Sequence, residues 1–179
     1  MMGTDTKTYT HPKPCGAAAK NIAAFAEAIG KALNFKPGMD LEPIVRRLKG
    51  KIEYLPLASE GSQKASITVE KGGKFKIGLS AALFPLQKRI SIAHELGHLF
   101  LHSRYGEVSI EACHGLNPES EEEAEVEDEA HEFACAFLMP AEIVRKATLA
   151  LGNNSTKVAA HFMVPEPVAR QRMEDVRQG

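Results

Sequence analysis

The sequence predicts an α+β domain, mostly helical, with one small sheet, mixed or antiparallel, next to a helix that carries paired histidines. Three observations lead there. Apolar residues recur at helical spacing over most of the chain, two short runs alternate apolar and polar residues across Gly72-Gly73, and the stretch IAHELGHLFLH (92–102) follows them with an uninterrupted helical pattern. A chain of 179 residues, 44% hydrophobic and 25% charged, has room for one compact domain with a real core. No apolar run approaches the ~18 residues that a membrane span needs, and the polar start MMGTDTKTYTHPKP lacks the apolar centre of a secretory signal, so the expected location is cytoplasmic, away from any membrane. Cys15, Cys113 and Cys135, without a C-x-x-C spacing, are expected as free thiols, and Cys113-His114 as a surface pair.

Residues 1–16, with prolines at 12 and 14 and no apolar pattern, are expected as a flexible arm, and 17–179 as a single domain. The stretch 17–35 places Ile22, Phe25, Ala26, Ile29 and Leu33 on one face of a first helix. After the turn KPGMD, Asp40 is placed to cap a second helix, LEPIVRRLKG, with Gly50 ending it. KIEYLPL reads as a strand, and Ile67/Val69 with Phe75/Ile77/Leu79 as a hairpin turning at the glycines. From Pro85 the pattern becomes helical through the histidine stretch. YGEVSIEACHGLNP reads as a loop, EDEAHEFACAFLMP as a buried helix stopped near Pro140, and AEIVRKATLAL as another. The tail, 155–177, reads as a short helical subregion that starts at a Ser/Thr cap and is broken at Pro165 and Pro167. The net charge of -1 hides an asymmetry: residues 118–132 carry nine acids and no Lys or Arg, ordinarily a solvated helix face.

On an α-helix, residues four apart lie about 6 Å along the axis and about 40° around it, so His94 and His98 can aim their imidazoles at one ion. Zinc in a catalytic site takes three protein ligands and a water whose pKa it lowers toward ~7; Glu95, beside the first histidine, is placed to act on that water as general base. Two packed histidines with a solvated glutamate is the competing account. For the third ligand, His102 is next in line, but on a continuous helix it lies ~12 Å along the axis from His94, which suits an orienting or packing role better. The acidic run offers others. With Ala130, Phe133, Ala134 and Phe137 facing the core, Glu127 falls on the same stripe, Glu123 one turn earlier is the second choice, and Glu129 and Glu132 point elsewhere. A carboxylate on a buried stripe needs a partner, and a metal is one.

AHELGHLFLH followed by ExxAHEFACAFLMP resembles the ImmA/IrrE family of metallopeptidases, and the similarity extends over roughly residues 38 to 177, including DLEPIVRRLKGKIEYLPL, KFKIGLS and VAAHFMVPEPVARQRMEDV. The resemblance implies a gluzincin-like, zincin-type fold with His94, His98 and Glu127 as zinc ligands and Glu95 as catalytic base. Manganese is the alternative metal. It also implies cleavage of a partner repressor of the helix-turn-helix type, encoded nearby, in control of mobile-element or stress-response transcription. KFKIGLS is expected to offer its edge to an extended substrate. His131 stands where the family usually has Asn or Asp, which makes it a candidate to hold a ligand by a hydrogen bond or to approach the metal. Tyr105 is a candidate donor to a tetrahedral oxyanion. No separate DNA-binding domain is discerned, so a nearly bare catalytic domain is expected. Two other functions compete: a metal-stabilised regulatory binding module or toxin–antitoxin component, and nucleic-acid binding by the tail. The tail's few basic residues, Lys157, His161, Arg170, Arg172 and Arg177, argue against direct nucleic-acid binding.

Overall fold

The computed structural model describes residues 8–56, 65–114 and 118–179. Residues 1–7 of the expected arm, Leu57 of the expected first strand and 115–117 of the expected loop lie outside them. The described chain is α+β: α1 (Ala19–Ala32), α2 (Glu42–Arg47), β1 (Gly50–Leu55), β2 (Ala65–Val69), β3 (Phe75–Ser80), α3 (Pro85–Gly97), a π-helical turn (His98–His102), β4 (Ile110–His114), α4 (Glu121–Leu138), α5 (Ala141–Ala150), α6 (Ser155–Phe162) and α7 (Glu166–Gln178). The sheet has the order β1-β3-β2-β4. Its centre is the hairpin turning at Gly72-Gly73, both at positive φ, with Ile67 opposite Ile77. β1 lies parallel to β3, and β4 antiparallel to β2.

Two expectations about the sheet are corrected. KFKIGLS is an inner strand, hydrogen-bonded on both sides, so it has no edge to offer; within the described sheet the outer strands are β1 and β4. The stretch expected as the loop YGEVSIEACHGLNP contains β4. There Ile110 and Ala112 are buried against β2 while Glu111 and Cys113 face out, an alternation too short to stand out between its flanking glycines.

Local chemistry explains other boundaries. Asp40 accepts from the amide of Glu42, 3.1 Å away, as α2 begins. Lys49, at φ 68°, and not Gly50, ends that helix. Gly50 instead opens β1, where the ring of Phe75 occupies the space of a side chain: a Cβ would lie 2.3 Å from it. Pro167 starts α7 and does not break it, because proline is tolerated in a first turn whose amides have no helical partner. Arg172 on that helix is buried, its guanidinium 3.1 Å from Glu27 and 3.4 Å from Glu132, so it is not a surface cation.

The feature that positions everything else is the contact between α3, with its π turn, and α4. Partners sit at a constant offset along the chain: His94 with Glu127, Gly97 with Ala130, Phe100 with Phe133. Each pair is three residues beyond the last, so the two helices run in the same direction and present single faces to each other. Gly97 is the closest point. A Cβ there would lie 2.9 Å from the carbonyl oxygen and 3.0 Å from the Cα of Ala130, both backbone atoms. Because backbone cannot swing aside, Gly97→Ala is expected to lower stability by about 1–3 kcal/mol, the usual cost of overpacking. Urea denaturation of the metal-free protein measures this, and an unchanged midpoint would mean that the helices are not held so close.

Candidate metal centre

His94 and His98 reach the same point from consecutive turns because α3 is regular up to Gly97. Glu127 arrives from α4, three residues before Ala130, as the phase of that helix requires. Its Oε2 is 3.0 Å from His94 Nε2, its Oε1 is 3.4 Å from His98 Nε2, and the two Nε2 atoms are 3.2 Å apart. His94 and His98 are buried and Glu127 is half-buried. Two imidazole nitrogens and a carboxylate, all lone-pair donors, converge where neither histidine is open to water. Ligands about 2.0–2.2 Å from a tetrahedral zinc lie roughly 3.3–3.5 Å from one another, so the observed separations suit such an ion. Among the described residues this is the one group of three such side chains close enough to share a metal.

Glu95 is fully buried, and neither carboxylate oxygen has a hydrogen-bond partner. An unpaired buried carboxylate is costly. Burial, and then the charge of Glu127, push its pKa well above the ordinary carboxyl range. A buried acid without a partner, next in sequence to His94 of a group that could hold a metal ion, fits a metal and its water.

The π turn changes the geometry of His102. Arithmetic for a regular helix sets this residue one turn beyond His98, but the turn is wider, with Ser103 N–H donating to His98 O at 2.9 Å. His102 Nδ1 thereby comes within 2.9 Å of His98 Nδ1. The structure places His102 behind His98, away from the ligand atoms. Its other nitrogen, Nε2, is 2.9 Å from Glu129 Oε2. Burial first, and then neighbouring His98, lower the His102 pKa to about 4.

Glu129 is the residue that sequence reasoning missed. Helical phase points it away from the core stripe; it is nonetheless 6% exposed, and besides His102 it accepts the backbone amides of Cys15 at 2.8 Å and Gly16 at 2.9 Å. Burial raises its pKa, but the amides and His102 together carry it below the usual range. The available signal was His102 itself, since a buried imidazole needs an acceptor. Two further candidates make other contacts. His131 is on the exposed side of α4, with Nε2 3.5 Å from Cys135 Sγ. The Tyr105 hydroxyl donates to Leu48 O at 3.2 Å and its ring stacks on Phe100, so that proton has an acceptor other than an oxyanion. Glu123 lies in the first turn of α4, where its backbone amide is capped by Ser120.

Comparison with known proteins agrees with this geometry. The family described as IrrE N-terminal-like domain, Peptidase M78, matches residues 45–174. No curated protein matches the chain. A solved structure described as a Mycobacterium tuberculosis transcriptional regulator is similar in fold, with a TM-score of 0.59 at 15% identity over 84% of this chain and 45% of that one. This chain therefore spans less than half the length of that regulator. No helix among the described residues is long and apolar enough to cross a membrane.

The state of Glu95 has a measurable consequence in the metal-free protein. A carboxyl whose folded pKa is raised holds its proton where the unfolded chain, near 4.5, has already lost it. Its contribution is thus fully present below that value and is lost as pH rises through the folded pKa. With chelator present, wild type is expected to lose stability against Glu95→Gln from pH 4.5 upward, by at most about 1.4 kcal/mol per pH unit. Thermal melts of both proteins across pH test this; parallel curves would show that the carboxyl is not perturbed.

Proposed function

This chain belongs to the IrrE N-terminal-like family, Peptidase M78, and from that premise we propose that it is a zinc-dependent endopeptidase acting on a specific cytoplasmic protein. The observation that carries the proposal is the convergence of His94, His98 and Glu127 beside the buried, unpaired carboxylate of Glu95. A site that served only to hold the fold would be closed by its protein ligands and would have no use for a fourth, orphaned acid at such cost. This weighs against the metal-stabilised binding module.

In the proposed mechanism His94, His98 and Glu127 would hold zinc, with manganese the other metal this oxygen-and-imidazole set can take. A metal bound there would supply Lewis acidity toward a water and the scissile carbonyl. Glu95 accepts a proton from the attacking water while the water oxygen forms its bond to the carbonyl carbon. As the C–N bond breaks, Glu95 returns that proton to the departing amine nitrogen.

The substrate we favour is a helix-turn-helix repressor encoded nearby, cleaved to release transcription in stress or in a mobile element. Family membership supports a protein substrate, and the similar fold of a transcriptional regulator is consistent with a regulatory setting. Direct nucleic-acid binding is not part of the proposal, since Arg172, one of the tail's five basic side chains, is paired in the interior.

Incubating the metal-loaded protein with the neighbouring repressor tests the reading. Glu95→Gln is expected to bind metal like wild type and to cleave about 10²–10⁴-fold more slowly. Equal cleavage by the variant would remove Glu95 as the base, and a wild type that binds zinc but cleaves nothing would return the binding module to favour.

A further inference from the structure

We propose that the extended segment 8–16 is a working part of the metal centre, because its Cys15 and Gly16 amides hold Glu129, which fixes His98 through His102. The proposal rests on the reading above only for the metal centre and not for peptidase activity.

The assignment follows from which atoms can donate. His98 turns Nε2 toward Glu127 and His94, so when that nitrogen gives its lone pair to a metal the ring proton sits on Nδ1. Nδ1 then donates to His102 Nδ1 at 2.9 Å, which puts the His102 proton on Nε2, directed at Glu129 Oε2 at 2.9 Å. Cys15 N–H donates to the same oxygen and Gly16 N–H to Oε1. The partners of Glu129, the His102 ring, the Cys15 and Gly16 amides and the Cys15 thiol, all have a hydrogen to donate, so the group between them must accept on both oxygens. A carboxylate does this and an amide does not. A metal-bound histidine ordinarily has its far nitrogen held by a carboxylate or carbonyl; here one imidazole is interposed, and the carboxylate is in turn anchored by another part of the chain.

The segment is built to act through that anchor. Farther back it is pinned to the outer edge of β4, with Thr10 N–H donating to Ser109 O and Glu111 N–H to Thr10 O, each 3.1 Å. Between the two anchor points it spans a cavity of about 450 Å³ bordered by Leu101, His102 and Val108. Gly16 sits at φ 67°, and a Cβ there would touch nothing within 4 Å. A substitution at Gly16 therefore disturbs the backbone without intruding on the core. The segment also lies outside residues 45–174, the part matched by the family.

Zinc affinity of the full chain, measured by chelator competition, is the test, read together with histidine ring ¹H–¹⁵N correlation spectra of the zinc-loaded protein. Gly16→Pro removes one amide and forbids the positive φ, while Gly16→Asn keeps the amide and tolerates that conformation. We expect Gly16→Pro and Glu129→Gln each to weaken zinc binding about 10–100-fold, Gly16→Asn to bind within about 2-fold of wild type, and the Gly16→Pro/Glu129→Gln double variant to be no weaker than Glu129→Gln alone. In wild type His102 should show a single Nε2–H tautomer that becomes a mixture in Gly16→Pro. Wild-type affinity in Gly16→Pro, equal loss in Gly16→Asn, or fully additive losses in the double variant would each overturn the proposal. A wild type that bound no zinc would overturn the metal centre and this proposal with it, whereas one that bound zinc without cleaving a repressor would overturn only the peptidase.

Discussion

At Gly97 the α3 backbone comes close enough to Ala130 on α4 that no side chain fits between them, and with the two axes at that separation His94 and Glu127, three residues earlier on each helix, reach one another. Ligand geometry tolerates little error, since bonds of about 2.0–2.2 Å leave no slack for a helix displaced by a methyl group. The same offset then brings Phe100 against Phe133, stacked with centroids 5.8 Å apart, and Phe133 stacks in turn on Phe137, one turn further along α4, at 5.9 Å. Polar convergence at one end of the contact and aromatic packing at the other are thus two outcomes of one register.

That arrangement divides the energetic roles. The metal-site end is destabilising in isolation, because Glu95 is buried without a partner and the two histidines face a carboxylate in a low-dielectric setting. The aromatic end offsets this. Phe133 and Phe137 are fully buried, and each stacked pair adds about 0.5–1.5 kcal/mol beyond the burial of its area. Strain of this kind, concentrated at a cluster of titratable groups and offset by packing nearby, is the pattern expected of a site kept for chemistry and not for stability.

Why Glu127 was legible in the sequence and Glu129 was not has a physical answer. Helical phase is a local rule: Ala130, Phe133, Ala134 and Phe137 define the face of α4 toward the core, and Glu127 lies on it, where the structure has it 3.0 Å from His94. Glu129 lies off that face, and the rule gives such residues to solvent unless another segment covers them. The cover comes from Cys15 and Gly16, 114 and 113 residues away, and no periodicity encodes a contact supplied by bare backbone amides. The contact of His102 with His98 has a distance that regular-helix arithmetic does not give, for a related reason. The regular helix assumed for it gives way at His98 to a π turn, a departure that composition does not announce. The hairpin at Gly72-Gly73 was readable because its turn and its alternation are both local, whereas β4 is a strand chiefly by virtue of β2 being there to pair with it.

These long-range contacts make α4 a shared wall and not simply a partner of α3. α1 also packs along it, with Phe25 at 6.3 Å from Phe133 edge to face and Phe35, just past the end of α1, stacked at 4.7 Å on Phe137. Glu27 of α1 accepts the amide of Ala141 where α5 begins, and it pairs with Arg172 of α7, which also bonds Glu132 of α4 and the carbonyl of Met139. Breaking a buried pair of this kind leaves an uncompensated charge, at a cost of about 3–5 kcal/mol, so α1, α4 and α7 are tied in one angular relation. A helix tied to α1, α3 and α7 cannot rotate about its axis, and rotation is the movement that would carry Glu127 away from the two histidines. The rotational setting of Glu127 therefore depends on α1, which precedes the family-matched region, as well as on the glycine that faces α4.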